Sequence, residues 1–441
     1  MKTEQKMQII HPHAAGIDIG SKSHFVSVGQ LESEVKEFGV YSSDHIKMIE
    51  YLKQYNIETI AMESTGSYWQ SLFLSLQQAG FEVLLVSGWQ TKNVRAKTDV
   101  KDCQWIQKLH TLGMLQSCYL PSKFTATLRT LARHRQSLVE HSASITNKMQ
   151  KAMRLMNIRL DVVLSDITGV SGIKIIEAIL KGERNGNALS LLADKRVRKT
   201  KQEIADALQG QWNNELLYEL SDCYDLYKIF QDKITKCDQE IEQILKTVNN
   251  TIPDQKRNEL TKKQIKGKNQ HKFNLPEYSY KILGVDLFAI QGVSMNTIMT
   301  FIAEIGNDIY KFKTAKQFTS WLRLAPNNKI SGGKLISSRT PKGKNKFAIA
   351  LRNAANTIDR LKEGVLTSFF KRIAYKKGRA AAVTATARKI AIIIWNMITK
   401  KQEYQPIKQE HYIEIIKGKR IAAIKKSMKK MGITIDEIST I

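Results

Sequence analysis

The chain has 441 residues, of which 42% are hydrophobic, and it carries a formal net charge of +28. The hydrophobic fraction is sufficient for several folded cores and excludes a globally disordered chain. The excess of Lys and Arg favours a polyanionic partner such as nucleic acid, although a solvated basic surface would have the same composition. The amino-terminal residues lack the apolar segment of a signal peptide, and the apolar run IAIIIW at 390–395 is too short to cross a bilayer. We therefore expect a cytoplasmic protein without a membrane partner.

Residues 14–120 alternate predicted strands and helices. Three consecutive strands, AAGIDIG, HFVSVGQ and EVKEFGVY, come first. An amphipathic helix follows, then the strand TIAMES, a helix that ends at Gly80, the strand FEVLLVS, and a helix from about Asp99 to Leu112. Three strands followed by alternating helices and strands are typical of a ribonuclease-H-like α/β fold. We therefore predict a catalytic domain of this class over residues 1–120.

Four acidic residues lie at informative places in these elements. Asp18 lies in the first strand, Glu63 ends the fourth, and Asp99 and Asp102 are one helical turn apart in the last helix. Carboxylates at the ends of buried strands repel each other unless a cation lies between them, and two Mg²⁺ ions held there stabilise the attacking and leaving oxygens of a phosphoryl transfer. An isolated Asp is more often a turn residue, and Asp99 could instead cap its helix. Because order, spacing and context agree, we predict that the four form a catalytic metal site.

Residues 121–250 are predicted to be mostly helical. A long helix over 122–156 has a basic face, and a second long segment, which begins at Asn214, has apolar residues near heptad spacing. The two could pair as an antiparallel coiled coil. The basic face would suit a nucleic-acid backbone, with a solvated helix face as the competing interpretation. The predicted contacts are Arg129, Arg133, Arg135, Lys148, Lys151 and Arg154.

The remaining chain is predicted to contain a linker, a second helical domain and a tail. Residues 251–275 are polar and rich in Lys, which indicates a linker or mobile arm, and residues 406–441 form a basic tail. The helical domain covers 276–405. Within it, residues 282–307 have the sequence pattern of a helix-hairpin-helix. Its turn at 291–294 would offer backbone N–H groups to a phosphate. The competing interpretation is a structural turn between two core helices.

A Gly-rich loop in this domain places Ser331 directly before Gly332 and Gly333 and among basic residues. Small neighbours let a phosphodiester approach closely, so the serine could act as a nucleophile and the glycines could contact nucleic acid. By spacing alone, such a loop is more often only a turn.

Three ordered blocks of this sequence resemble the DEDD transposase family of bacterial insertion sequences, of the insertion-sequence one-ten type, which includes the Piv site-specific DNA invertases. The first block comprises GIDIGSKSHFVSV, ESTGSYW and KTDVKDCQWIQKL. The second is LARHRQSLVEHSASITNKMQ, and the third comprises LRLAPNNKISGG, LRNAA and ARKIAIIIWNMI.

The resemblance implies a RuvC-like domain in which Asp18, Glu63, Asp99 and Asp102 bind divalent metal, Mg²⁺ in our prediction, and it implies that Ser331 is the nucleophile. It also implies that the protein cuts and rejoins double-stranded DNA, at the element ends and the target, through a serine–DNA intermediate. A noncoding bridge RNA would select the donor and target DNA by base pairing. Family members of this type are expected to be homo-oligomers, dimers joined into a tetramer through the coiled coil.

Two alternatives remain open from the sequence. A RuvC-like hydrolytic nuclease or junction resolvase would need the four acids and a metal-bound water, but it would not need Ser331. A transposase-derived protein without catalytic activity would bind DNA or RNA only, and the intact set of four acids argues against it.

Overall fold

The computed structural model describes residues 8–30, 33–92, 98–263 and 267–406, together with scattered helical positions between 414 and 428. The chain divides into two compact units, Met1–Leu120 and Pro121–Ile441. The first is mixed α/β and the second is mostly helical. The predicted tail at 406–441 lies largely outside the described residues.

The first unit is built on a five-stranded sheet. Its strands are β1 (Ala14–Ile19), β2 (Ser23–Val28), β3 (Glu34–Gly39), β4 (Thr59–Glu63) and β5 (Glu82–Val86). The spatial order is β3-β2-β1-β4-β5. Strands β1, β2 and β3 pair in antiparallel fashion, whereas β4 lies parallel to both β1 and β5. The predicted sequence of strands is present, which confirms the α/β class of this unit.

Four helices are described in this unit, and different helices pack against the two faces of β1. The helices are α1 (Ser42–Gln54), α2 (Trp69–Gln78), α3 (Gly88–Thr91) and α4 (Asp99–Thr111). Ala15, Ile17 and Ile19 of β1 belong to an apolar core that includes buried residues of α1 and α2. Because side chains alternate along a strand, Gly16 and Asp18 lie on the opposite face, where α4 packs.

The second unit begins with a pair of long helices and four short ones. The helices are α5 (Lys123–Leu155), α6 (Leu160–Val163), α7 (Val170–Leu180), α8 (Gly186–Leu191), α9 (Lys201–Ala207) and α10 (Asn214–Lys246). Helices α5 and α10 run antiparallel, since Arg135 contacts Asp238 and Ser142 contacts Gln231. The short helices share an apolar core with the carboxyl-terminal part of α5 and the amino-terminal part of α10.

The segment predicted as a linker differs from that expectation, because much of it is folded. Helix α11 (Asp254–Lys262) lies within it, and Leu260 on this helix is fully buried. Ile252 and Phe273, on either side of the helix, are also buried. A few apolar residues in a lysine-rich stretch thus anchor it to the unit, and their spacing is too sparse to produce a helical period in the sequence.

Between residues 275 and 406, the second unit contains six α-helices, two short 3-10 helices (Leu287–Ala289 and Gly306–Lys311) and one hairpin. The α-helices and the hairpin strands are α12 (Leu275–Leu283), α13 (Met295–Glu304), α14 (Ala315–Trp321), β6 (Lys329–Ser331), β7 (Lys334–Ser337), α15 (Lys346–Asp359), α16 (Val365–Lys377) and α17 (Arg379–Lys400). The predicted hairpin turn at 291–294 packs on α15, because a Cβ on Gly292 would lie 2.6 Å from Ile358 Cγ1. Ser294 caps α13 by accepting a hydrogen bond from the Thr297 N–H.

Helix α17 contains the apolar run noted at 390–395. The whole helix, unlike that run alone, is long and apolar enough to cross a membrane. About half of its apolar part is buried within the unit, with Ile390, Ile394 and Ile398 in the core. A buried core helix passes the same test, so the length of α17 is weak evidence for a membrane span.

Candidate functional site

Asp18 and Glu63 lie on neighbouring strands at the same edge of the sheet. Strands β1 and β4 are parallel, and Ile17 is in register with Met62, so the next residues along the two strands are these two acids. The carboxyl ends of parallel strands are the usual position of ligand sites in α/β sheets. Both side chains are half-buried, whereas their strand neighbours Ile17 and Met62 are fully buried.

Helix α4 brings the other two acids to this edge. Gly16 permits its close approach, because a Cβ at that position would lie 2.3 Å from the backbone N of Gln107 and 2.4 Å from the carbonyl O of Cys103. Asp99 and Asp102 lie in the first turn of α4, where the Thr98 side chain caps the helix by accepting from the Lys101 N–H. A first turn also favours carboxylates electrostatically.

The buried side chain of Gln107 fixes the position of α4 on the sheet. Its Oε1 accepts a hydrogen bond from Ser27 Oγ at 2.6 Å, and its Nε2 donates to the carbonyl O of Gly29 at 2.7 Å. A third contact joins Nε2 to the carbonyl O of Ala14 at 3.3 Å. Sequence reasoning did not identify Gln107 or Gly16 as site residues. The glycine two residues before Asp18 was the available signal.

Asp18 lies within electrostatic range of the other three carboxylates. Burial raises the pKa of Asp18 to about 6, and the nearby carboxylates of Asp102, Asp99 and Glu63 add to the rise. Burial, and then the charge of Asp18, raise the pKa of the Cys103 thiol on α4. We refer to Asp18, Glu63, Asp99 and Asp102 together as the acidic edge.

Two hydroxyl groups orient Glu63 within the acidic edge. Thr91 Oγ1 donates to Glu63 Oε2 at 2.6 Å, and Thr65 Oγ1 donates to Oε1 at 3.3 Å. Thr91 is buried in the short helix after β5. These hydrogen bonds restrict the rotamers of the carboxylate, and they are contacts that the linear sequence did not reveal.

The acidic edge suits a hard divalent cation by its donor chemistry. All four side chains offer carboxylate oxygens, and in the described part of the chain none of them forms an ion pair with Lys, Arg or His. No three His, Cys, Asp or Glu side chains of the described residues converge tightly enough to hold one ion by themselves. Mg²⁺ is commonly held by one or two carboxylates, with waters and substrate phosphates completing the shell. The donor set therefore fits this mode of binding.

Ser331 lies in the second unit, in the exposed hairpin formed by β6 and β7. It is the last residue of β6 and pairs with Lys334 across a two-residue turn. Gly332 and Gly333 in that turn have φ values of +52° and +72°, which glycine adopts without strain. Among the described residues, apart from the immediate chain neighbours, no atom lies within 4 Å of the position of a Cβ on either glycine. The hydroxyl is thus presented on a tight turn with open space beside it.

The predicted basic face of α5 divides into paired and exposed residues. Arg133 makes a bidentate ion pair with Glu304, with both N···O distances at 2.8 Å, and Arg129 joins the same carboxylate. Arg154 is exposed and contacts Asp161 at 2.7 Å. Lys148 and Lys151 are exposed.

Arg135 is buried, in contrast to the prediction that it contacts nucleic acid. Its guanidinium donates to both carboxylate oxygens of Asp238, at 2.7 and 3.1 Å, and His271 contacts the same carboxylate at 3.0 Å. Burial raises the pKa of Asp238, but hydrogen bonds from His271 and Arg135 hold it below its ordinary value. The prediction for Arg135 is therefore withdrawn, because its side chain faces α10.

Two family models match the chain. The model for DEDD transposases of the IS110 type, described as "Transposase", matches residues 15–158. The model described as "Transposase IS116/IS110/IS902 family" matches residues 286–369. The first match contains the whole acidic edge, and the second contains Ser331 and its hairpin. A comparison with curated proteins finds no match.

Proposed function

The chain belongs to the IS110-type family of DEDD transposases, and on this premise we propose that it cuts and rejoins DNA by a metal-assisted reaction through a serine–DNA intermediate. Membership confirms the resemblance noted in the sequence and makes the protein a DNA-binding transposase of an insertion sequence. Members of this family typically use a divalent metal. The metal identity, the residue roles and the RNA partner are our proposals.

The acidic edge is the observation that carries this proposal. Burial raises the pKa of Asp18 and the neighbouring carboxylates add to the rise, and a cation bound between the carboxylates would relieve their mutual repulsion. We propose that Asp18, Glu63, Asp99 and Asp102 hold Mg²⁺, as oxygen ligands of a RuvC-like domain. When bound, Mg²⁺ would polarise the scissile phosphate and stabilise the oxygens that enter and leave the phosphorus.

Ser331 would supply the nucleophile. Its Oγ forms an ester bond with the phosphorus while the bond from phosphorus to the leaving strand oxygen breaks, and the hydroxyl proton is transferred to that oxygen. Rejoining reverses these changes with the hydroxyl of another strand end, so that no water is consumed. Lys334 pairs directly with Ser331 across the hairpin, which places a cation on the same face to attract the phosphate.

We propose an RNA partner in addition to double-stranded DNA. A noncoding guide RNA would pair with donor and target DNA, and the net charge of +28 would support binding of both nucleic acids. Exposed Lys148 and Lys151 on α5 offer backbone contacts, with Arg154 and the hairpin glycines beside Ser331 as further candidates. We also propose a homo-oligomer, a dimer or tetramer, and a cytoplasmic location.

A covalent-adduct assay tests the serine step. The protein is mixed with Mg²⁺, the DNA that flanks its gene and RNA transcribed from that flank, and products are separated on a denaturing gel. We expect a protein–DNA adduct with the wild type, none with Ser331→Ala, and an unchanged adduct with Ser338→Ala, an exposed serine beyond the same hairpin.

The acids are tested in the same assay. Asp102→Asn should lower cleavage by roughly 10³-fold or more while DNA affinity stays unchanged, because several kcal/mol of transition-state stabilisation would be lost. Glu37→Gln, an exposed acid on β3, is the matched control. Cleaved ends without an adduct, in the wild type and in Ser331→Ala alike, would instead identify a hydrolytic nuclease.

A further inference from the structure

A groove in the second unit lies outside the proposed catalytic residues. Helices α5, α13 and α15 enclose it, with a cavity volume of about 310 Å³. This volume lies at the lower end of the range for small-molecule sites, roughly 300–1,000 Å³. It is far too small for a duplex, so it suits one planar group rather than a helix of nucleic acid.

The floor of the groove is apolar and firmly packed. Met299 and Ala303, one turn apart on α13, and Ala350 on α15 are buried and line it. Ile349 beside them is 43% exposed and adds apolar surface to the groove. A flat aromatic ring could lie against this surface and remove it from water.

The rim carries amide side chains that are available for hydrogen bonding. Asn296 on α13 and Asn353 on α15 are both exposed, and in the part of the chain that the structure describes their side-chain amides have no hydrogen-bond partner. Gln136 on α5 donates its amide N–H to Glu140 at 2.9 Å, which leaves its carbonyl oxygen as an acceptor. Amides provide both donors and acceptors, as the edge of a nucleobase requires.

The charges around the groove favour a base over a free anion. Lys346, the first residue of α15, is exposed at one side, and Arg133 is half-exposed while paired with Glu304. The carboxylates of Glu140 and Glu304 also line the groove and offset these cations, and Arg135, which lines it too, is paired with Asp238. An isolated phosphate would meet both signs of charge. A base inside the groove would contact the amide side chains, and the phosphate backbone of its strand would pass Lys346 outside the groove.

We propose that this groove binds one unpaired nucleobase of the nucleic acid held by the protein, with adenine preferred. The amide pairs that Asn and Gln form with adenine N6 and N7 are the basis of that preference. The inference needs nucleic-acid binding, which family membership provides, and is independent of the acidic edge and Ser331. DNA and RNA share this chemistry, and the test distinguishes them.

The test measures affinity in EDTA, where no metal-dependent cleavage occurs. Three fluorescent DNA duplexes differ only at one central position, which holds an unpaired adenosine, an abasic bulge of the same length, or no bulge. The same three are made as RNA. Anisotropy titrations should show the adenosine bulge binding at least about fivefold more tightly than the abasic bulge, as expected for one good amide–base pairing. The backbone type with the larger ratio identifies the source of the base.

Two substitutions test the assignment to this groove. Asn296→Leu and Asn353→Leu preserve side-chain size on exposed positions and should each reduce the adenosine-to-abasic ratio toward one, without changing affinity for the plain duplex. Asn187→Leu, an exposed asparagine of α8 outside the groove, should leave the ratio unchanged. Circular dichroism confirms that each variant is folded.

Each remaining result would overturn the base site. Equal wild-type affinity for the adenosine and abasic bulges removes the base preference, and a preference that persists in both Leu variants places it elsewhere. A loss of affinity for every duplex alike makes the groove a backbone contact. If no oligonucleotide binds the wild type, nucleic-acid binding itself fails, and the base site fails with it. Failure of the cleavage chemistry alone would leave all these titrations unchanged.

Discussion

Gly16 on β1 and Cys103 on α4 approach so closely that a Cβ on residue 16 would lie 2.4 Å from the carbonyl oxygen of Cys103. Asp18 follows Gly16 on the same face of the strand, and Asp102 precedes Cys103 on the helix. A single backbone contact thereby determines how near two of the four acids come to each other. The acidic edge depends on a glycine as much as on its carboxylates.

Gly16→Val should therefore displace α4 and disrupt the acidic edge. The atoms that a Cβ would meet belong to the backbone, so no change of rotamer can relieve the clash. We expect a loss of about 3 kcal/mol in the free energy of unfolding and a loss of DNA cleavage. Urea denaturation measures the first and the adduct assay the second. Gly418→Ala is the control, because a Cβ there would meet no described atom outside its own helix within 4 Å. Wild-type stability of Gly16→Val would contradict this account of the packing.

Asp18→Asn should change how the metal-free protein responds to pH. Burial and the neighbouring acids raise the pKa of Asp18 to about 6, above its ordinary value of 3.8, so the folded state binds the proton more tightly than the unfolded state. The contribution of Asp18 to the stability of the wild type should therefore fall as pH rises from about 4 to about 6 and then level off. After allowance for screening by solvent, the fall is about 1–2 kcal/mol.

The variant lacks this ionisation, so in EDTA it should be more stable than the wild type at pH 7 and show less dependence on pH. Thermal denaturation between pH 4 and 8 measures both effects. Added Mg²⁺ should stabilise the wild type more than Asp18→Asn, because the variant has lost a ligand. A wild type whose stability rises over this pH range relative to the variant would refute the repulsion among the carboxylates.

Arg135→Met should destabilise the second unit. It leaves the buried Asp238 without its bidentate partner, and removal of one member of a buried ion pair costs about 3–5 kcal/mol. The double variant Arg135→Met, Asp238→Leu should recover much of that loss, because it no longer buries an uncompensated charge. Urea denaturation of the wild type, single and double variants provides the comparison. A single variant as stable as the wild type would mean that the pair contributes little.

Lys148→Ala and Lys151→Ala should weaken DNA binding without changing stability. Both side chains are exposed on α5, so the free energy of unfolding should change by less than about 0.5 kcal/mol. DNA affinity should fall, and each lost phosphate contact should reduce the slope of log affinity against log salt by about one. Lys228→Ala, an exposed lysine of α10 paired with Asp225, is the control. An unchanged salt slope in both variants would remove this face from the interface.

The local pattern of the sequence was sufficient to predict the strands and the helix that carry the four acids. Strand and helix periods placed Asp18 and Glu63 at strand ends and Asp99 and Asp102 in one helical turn, and the described structure has these elements in the same order. These features depend on neighbouring residues, which a single sequence displays directly. Whether the four side chains bind metal stays a prediction.

Long-range partners could not be inferred in the same way. A basic stripe on α5 does not reveal which arginine faces another helix, and the partner of Arg135 is Asp238 on α10, far away in the chain. Gln107 likewise donates a hydrogen bond to the carbonyl O of Gly29, which lies 78 residues earlier in the chain. Leu260 anchors a lysine-rich stretch that resembled a linker because one buried side chain produces no period.

The uninterrupted length of α5 has a consequence for how nucleic acid would lie on the second unit. Gln136 at the groove and Lys151 near the end of the helix are on one continuous helix from Lys123 to Leu155. Their separation along the axis is about 22 Å at 1.5 Å per residue. At 3.4 Å for each step of a strand, this spans roughly six to seven nucleotides. If both proposals hold, helix α5 sets the distance between a base bound in the groove and the strand's backbone contact at Lys151.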